Sequence, residues 1–191
     1  MNSIKSTQVR IIGGHWRGSK LPVPTVSGLR PTPDRIRETL FNWLGNDCRL
    51  ANVLDCFAGS GVLGLEAASR GARQVTLIES HQLGWQNLRT QVSRFDAKNI
   101  DLWQGDVLDV IPQLARQYQV IFVDPPYALP ELRDTVVDLL IAHKKLSAGA
   151  KIYLEWPGRE QYDLASAELS WVKQKKAGQV NYAIAEWQPS G

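Results

Sequence analysis

Asp124-Pro125-Pro126-Tyr127 stands directly after the apolar run Val120–Val123. Two successive prolines fix two φ angles and remove two N–H donors. The Asp124 carboxylate and the Pro125 carbonyl can then converge as acceptors, the pair that a planar exocyclic –NH₂ requires. The lone pair of such an amine is delocalised into its ring, so the nitrogen is a poor nucleophile. Hydrogen bonds to both N–H groups orient the amine and favour a pyramidal nitrogen that faces an electrophile. Tyr127 offers a face on which a base stacks. The plainer reading is a rigid strand-end turn.

A second constellation lies upstream. Phe57-Ala58-Gly59-Ser60-Gly61-Val62-Leu63-Gly64 joins an apolar run to a helical pattern, and Gly59 and Gly61 let backbone approach a ligand closely. Glu79 closes the next apolar run, the place from which a carboxylate accepts from both ribose hydroxyls. The glycine spacing also matches the dinucleotide fingerprint. Asp55, just before the loop, argues otherwise: it suits a cationic amino group and is unwelcome beside a pyrophosphate. Gly105-Asp106 follows the third run. Asp106 can accept from an adenine amine while the Val107 N–H serves a ring nitrogen. Each acid alone reads equally well as a helix cap. All three beside one loop make an acidic pocket suited to a sulfonium cofactor carrying an ammonium and a ribose.

The elements that position these residues follow from periodicity. Strands are predicted at Val53–Phe57, Val75–Glu79, Ile100–Trp103, Val120–Val123 and Ile152–Leu154, and helices at Val62–Ser69, Leu83–Phe95, Val107–Arg116 and Glu131–His143. Such alternation implies crossover units and a mostly parallel sheet covered on both faces. Leu169–Lys173 and Val180–Trp187, either side of Gly178, are too close for an intervening helix and predict an antiparallel edge hairpin. Thr32-Pro33-Asp34 is a helix start, with Thr32 as cap. Before it, Val9–Ile12 and Ser19–Leu21 flank a glycine-bounded turn and predict a small hairpin.

Composition narrows the class. The chain has 191 residues, 43% apolar and 21% charged, enough for one domain without disulfides. Cys48 and Cys56 read as buried thiols in a reducing cytoplasm. With three histidines besides, a structural zinc site is not expected. No apolar run approaches the roughly 20 residues of a membrane span, and Met1 to Gln8 is too polar for a secretory signal. Net charge is +3, but residues 1–37 hold seven basic side chains and one acid. A basic arm on a mildly acidic body suits a polyanionic partner.

Together these motifs resemble a class I S-adenosylmethionine-dependent amino-methyltransferase. The opening segments, Arg10-Ile11-Ile12-Gly13-Gly14, Arg17-Gly18-Ser19-Lys20-Leu21 and Leu29-Arg30-Pro31-Thr32 followed by Arg35–Asn42, are similar to those of the bacterial RsmD family. That family methylates N2 of guanine 966 in 16S ribosomal RNA. The resemblance implies a Rossmann-like α/β fold: a seven-stranded, mostly parallel sheet with an antiparallel C-terminal edge hairpin and a small N-terminal β-hairpin. It implies a basic arm over residues 1–31 and a methyltransferase domain over 32–191. It assigns Asp124 and Pro125 to the guanine amine, Tyr127 to the base, and Asp55, Gly59, Gly61, Glu79, Asp106 and Val107 to the cofactor. Arg30 and Thr32 would stand near its methionine end. Arg10, Arg17, Lys20, Lys175 and Lys176 would meet RNA, in a partly or fully assembled small subunit. A monomer is the default expectation, and the cysteine reading points to the cytoplasm.

Rival readings remain at this level. N6-adenine methylation uses the same tetrapeptide. Methylation of a protein glutamine favours Asn where Asp124 stands. A non-catalytic RNA-binding assembly factor could keep the pocket, and a dehydrogenase lacks a hydride site. Trp16 reads as packing or RNA contact, His15 as a surface residue, His81 as a helix start, and Glu155 more as structure than as cleft border.

Overall fold

The alternation of apolar runs builds a single twisted sheet. The computed structural model describes residues 8–23, 32–126, 128–164 and 166–189. Four strands, β3 (Asn52–Asp55), β4 (Gln74–Glu79), β5 (Ile100–Gln104) and β6 (Tyr118–Val123), run parallel, and β7 (Leu146–Pro157) joins them beside β6. Two further strands, β8 (Leu169–Ala177) and β9 (Val180–Trp187), are antiparallel, giving the order β5-β4-β3-β6-β7-β9-β8. The last strand of the chain is therefore inserted between β7 and the edge. Preceding the sheet, β1 (Gln8–Arg10) pairs antiparallel with β2 (Lys20–Pro22) as the expected hairpin.

Period-2 alternation makes the central strands apolar on both faces. Val53, Val75, Leu77, Val120 and Phe122 point to one core, with α1 (Asp34–Leu44), α2 (Val62–Ser69), α3 (Gln82–Arg94) and the hairpin residues Ile11 and Leu21. Leu54, Ile78, Ile121 and Val123 point to the other, under α4 (Val107–Val110) and α5 (Leu132–Ala142). Trp16 stacks on Phe95 at 4.6 Å between ring centroids, so its role in the described structure is packing. No helix among the described residues is long and apolar enough to cross a membrane.

Several boundaries differ from expectation. The helix predicted over Val107–Arg116 ends at Val110, and Ile111–Gln113 tightens into a 3-10 turn at Pro112, which cannot donate an N–H. The short strand at Ile152–Leu154 is the middle of twelve-residue β7. The tail strand reaches Ala177 because edge pairing to β9 carries its polar Lys173–Lys176 stretch. Thr32 does not cap α1. Pro33 takes the cap position, its carbonyl accepting from Ile36 and Arg37 N–H at 3.0 and 3.1 Å, and no side chain caps the helix.

Candidate active site

The carboxyl ends of β3, β4, β5, β6 and β7 deliver their acids to one cavity of about 350 Å³. Its walls include Thr32, Asp55, Gly59, Glu79, Asp106, Val107, Asp124, Pro125 and Glu155. This edge is where open α/β sheets bind ligands, because the strand-to-helix turns open there.

The glycine loop turns from β3 into α2. Gly61 holds φ at 79°, and a Cβ there would stand 2.3 Å from Leu88 Cδ2, so both backbone and packing require glycine. Gly59 is also left-handed, at φ 54°. Its N–H donates to Glu79 Oε2 at 2.7 Å, while the His81 N–H donates to Oε1 at 2.7 Å. Glu79 thereby fixes the loop as well as facing the cavity. His81 does start a helix: its Nδ1 accepts from the Leu83 N–H at 3.2 Å. Asp106 is exposed and caps α4, Oδ1 accepting from Leu108 N–H at 2.9 Å. The Val107 N–H beside it is a first-turn amide of α4, without an intrahelical acceptor.

Asp55 is buried and accepts from the Gly64 N–H at 3.0 Å. Burial pushes its carboxyl up to about 7, against the pull of the Gly64 and Phe57 amides, and the nearby Glu79 charge adds to the rise. Half-buried Asp124 is raised well above the usual carboxylate range, first by burial and then by the Glu155 and Asp55 charges; a hydrogen bond from Thr32 opposes this. Glu155 is raised by burial too, against hydrogen bonds from Tyr153 and Thr32. None of these carboxylates has an ion-pair partner among the described residues. Such a cavity is complementary to a cation and hostile to a pyrophosphate. The acceptor set thus fits the ammonium, sulfonium and ribose of S-adenosylmethionine.

The structure brings Asp55, Gly59, Glu79, Asp106, Val107, Thr32, Asp124 and Pro125 together, as the sequence spacing anticipates. Gly61 lies behind the loop as the cap residue of α2. Tyr127 and Arg30 lie outside the described residues. Arg10, Arg17 and Lys20 are exposed on the hairpin, and Lys175 and Lys176 on β8, where Lys176 Nζ donates to the Gly158 carbonyl at 2.7 Å. Sequence reasoning undervalued Glu155. The signal was present: an acid closing an apolar strand, as Asp55 and Glu79 do. A separate depression of about 440 Å³ beside Asp101 and Arg116 holds none of the predicted residues. No group of three metal-ligating side chains occurs among the described residues.

The sheet order, the glycine loop and the strand-end acids define a Rossmann-like fold of the class I methyltransferase type. A ribosomal RNA small subunit methyltransferase D from Escherichia coli (strain K12) is 42% identical over 100% of this chain and 96% of its own length. The solved structure of a putative methyltransferase from Escherichia coli superposes with a TM-score of 0.86 at 39% identity, covering 95% of this chain and 99% of that one. An RNA methyltransferase from Salinibacter ruber, solved with S-adenosyl-L-homocysteine, shares the fold at a TM-score of 0.66 and 15% identity, covering 84% and 95%. The family described as Conserved hypothetical protein 95 matches residues 9–186, and the chain belongs to it: this is the RsmD family of ribosomal RNA methyltransferases.

Proposed function

We propose that this chain transfers a methyl group from S-adenosylmethionine to the N2 amine of a guanine, guanine 966 of 16S ribosomal RNA. The carrying observation is the meeting of Asp124-Pro125 with three acids in one cavity. S-adenosylmethionine supplies an electrophilic methyl group when bound. Asp55 holds its ammonium, Glu79 its ribose, and Asp106 with the Val107 N–H its adenine. Gly59 lets the loop approach closely, and Gly61 sets the turn that aims it. Arg30 and Thr32 border the methionine end.

Asp124 and Pro125 accept from the two amine N–H groups of the flipped guanine, and Tyr127 stacks on the ring. This grip turns the nitrogen lone pair toward the methyl carbon, so positioning and fixed charge lower the barrier. The amine proton grows acidic only as nitrogen gains the methyl group, so it leaves late. Arg10, Arg17, Lys20, Lys175 and Lys176 meet phosphates. The family resemblance supports a partly or fully assembled small subunit as substrate; a monomer is the default state, and the free, buried thiols of Cys48 and Cys56 suit the cytoplasm.

Subunits from a strain lacking the modification, incubated with labelled cofactor and digested for nucleoside mass spectrometry, test this reading. Labelled N2-methylguanosine is expected. Labelled N6-methyladenosine would overturn the choice of base. Naked 16S RNA in a parallel reaction tests the assembled substrate, which should be methylated faster.

A further inference from the structure

Glu155 has no part in holding the amine or the cofactor, yet it lines the same cavity as Asp124 and Pro125. Strand register puts it there. Val123 of β6 stands opposite Leu154 of β7, so Asp124 and Glu155 follow side by side at the carboxyl ends of neighbouring parallel strands. The sheet order β3-β6-β7 sets Glu155 on the far side of Asp124 from Asp55 and the glycine loop. With strands roughly 4.8 Å apart, that places it toward the base rather than toward the cofactor. Tyr153, two residues earlier and on the same face, donates its hydroxyl to Glu155 Oε1 at 2.5 Å. Arg133 donates to the Glu155 main-chain carbonyl at 3.2 Å. One carboxylate oxygen and the backbone are thus held. A carboxylate has about four acceptor sites, so capacity is left for a ligand. Only 5% of the residue is exposed, and no Lys or Arg among the described residues lines the cavity. A buried carboxylate without a cation calls for N–H donors, and here the cavity walls beside it are the apolar Leu129, Leu132 and Val180.

We propose that Glu155 determines the choice of base, accepting from the N1–H of the flipped guanine while Asp124 and Pro125 hold its 2-amine. This rests on the function proposed above. Guanine carries a donor at N1 beside its amine, whereas adenine carries a bare lone pair at N1 beside its own. A fixed carboxylate attracts the first and repels the second. Glu155 therefore separates two amines that the Asp-Pro-Pro-Tyr turn alone would serve equally. It also refuses a purine that keeps the 2-amine but has no hydrogen on N1.

Small subunits rebuilt with guanine, 6-thioguanine or 2,6-diaminopurine at the target test this in single turnovers. Both analogues keep the 2-amine and alter position 6, but only 2,6-diaminopurine turns N1 into an acceptor. Wild type should methylate 2,6-diaminopurine about 10²-fold or more slowly than guanine, and 6-thioguanine far better than 2,6-diaminopurine. In Glu155→Gln the Tyr153 hydroxyl keeps the amide oxygen and leaves the amide –NH₂ for the base, where it suits an acceptor at N1. That variant should bring 2,6-diaminopurine within about tenfold of guanine. Titration with S-adenosylmethionine verifies that the pocket is intact. Should Glu155→Gln fail to fold, Tyr153→Phe, which releases the held oxygen, should narrow the same ratio and decides alone. Equal rates for guanine and 2,6-diaminopurine in wild type, equal rejection of both analogues, or a ratio that the variants leave unchanged overturns the proposal. Filter binding of the same RNAs with S-adenosylhomocysteine reads the preference without turnover. A protein that methylates none of the three yet prefers guanine through Glu155 would overturn the function and leave the reading of N1 standing. Equal binding without methylation would overturn both.

Discussion

Arg37 and Glu66, both wholly buried, meet 3.8 Å apart beneath the N-terminal hairpin. Glu66 accepts from the Ile12 and Gly13 N–H groups at 2.7 Å each and from Arg70 at 2.8 Å. Arg37 donates to the Arg10 carbonyl at 2.8 Å and to the Thr32 carbonyl at 3.2 Å. One buried pair thus ties the basic hairpin, the helix α2 behind the glycine loop and the cavity wall together. Glu66→Ala leaves the Ile12 and Gly13 amides without their acceptor, while Arg37 keeps Asp34 at 2.5 Å, so a loss of about 2–4 kcal/mol is expected in urea unfolding. Limited trypsin digestion should also begin cutting at Arg17 and Lys20. Unchanged stability would show that the clasp is dispensable.

The hairpin cations make a separable prediction. Neutralising Arg10, Arg17 and Lys20 together should weaken RNA binding and lower the log–log salt slope by roughly 0.7–0.9 for each lost phosphate contact. Their side chains are exposed and outside the cavity, so S-adenosylmethionine affinity should hold. A filter-binding series across salt concentrations tests it; an unaltered slope would make the arm purely structural.

For the chemical step, Asp124→Ala should lower the single-turnover rate about 10²–10³-fold, the scale of one lost preorganised contact. Cofactor affinity should be nearly intact. Asp124→Asn keeps an acceptor oxygen and should be impaired less. Tyr127→Phe should keep most activity if the ring stacks, and Tyr127→Ala should not. Near wild-type transfer by Asp124→Ala would remove this tetrapeptide from the mechanism.

Asp55 couples stability to pH. Its carboxyl ionises near 7 in the fold and at 3.8 ordinarily, so the folded state holds the proton more tightly. Stability is then highest below pH 4 on this account and falls as pH rises toward 7, by at most about 4 kcal/mol. Asp55→Asn should therefore melt higher than wild type at pH 8 and equally at pH 4, while binding S-adenosylmethionine more weakly. Wild-type affinity for the cofactor should tighten between pH 6 and 8, as Asp55 becomes a bare anion for the ammonium. Thermal melts and calorimetric titrations at several pH values check both signs.

Much of this was legible in the chain. Central strands buried on both faces must be continuous apolar runs, so β3, β4 and β6 stood out, and the turns after them carried the acids. Edges were harder to read. Lys173 to Lys176 belong to β8 through backbone pairing alone, which leaves no apolar alternation to detect. Thr32 shows the other limit. Thr-Pro-Asp has the local chemistry of a helix cap, yet Thr32 lies in the cavity wall with Asp124 and Glu155, whose strands β6 and β7 come from some 90 and 120 residues away. Glu66 is a lone polar residue in an apolar helical stretch, and nothing local marks its partners at Ile12, Gly13 and Arg37, which are distant in sequence.

The insertion of β9 between β7 and β8 has a bearing on biosynthesis. A chain emerging from the ribosome completes β3 through β7 first. Until Val180–Trp187 has been made, β7 presents a long row of unpaired amides and carbonyls, with Ile152 and Leu154 on its flank. Such an edge recruits stray strands from other nascent chains. Ribosomes stalled before the codons for β9 should therefore hold a sticky intermediate, a client for chaperones, and a protein that matures ribosomes would depend on uninterrupted elongation for its own closure.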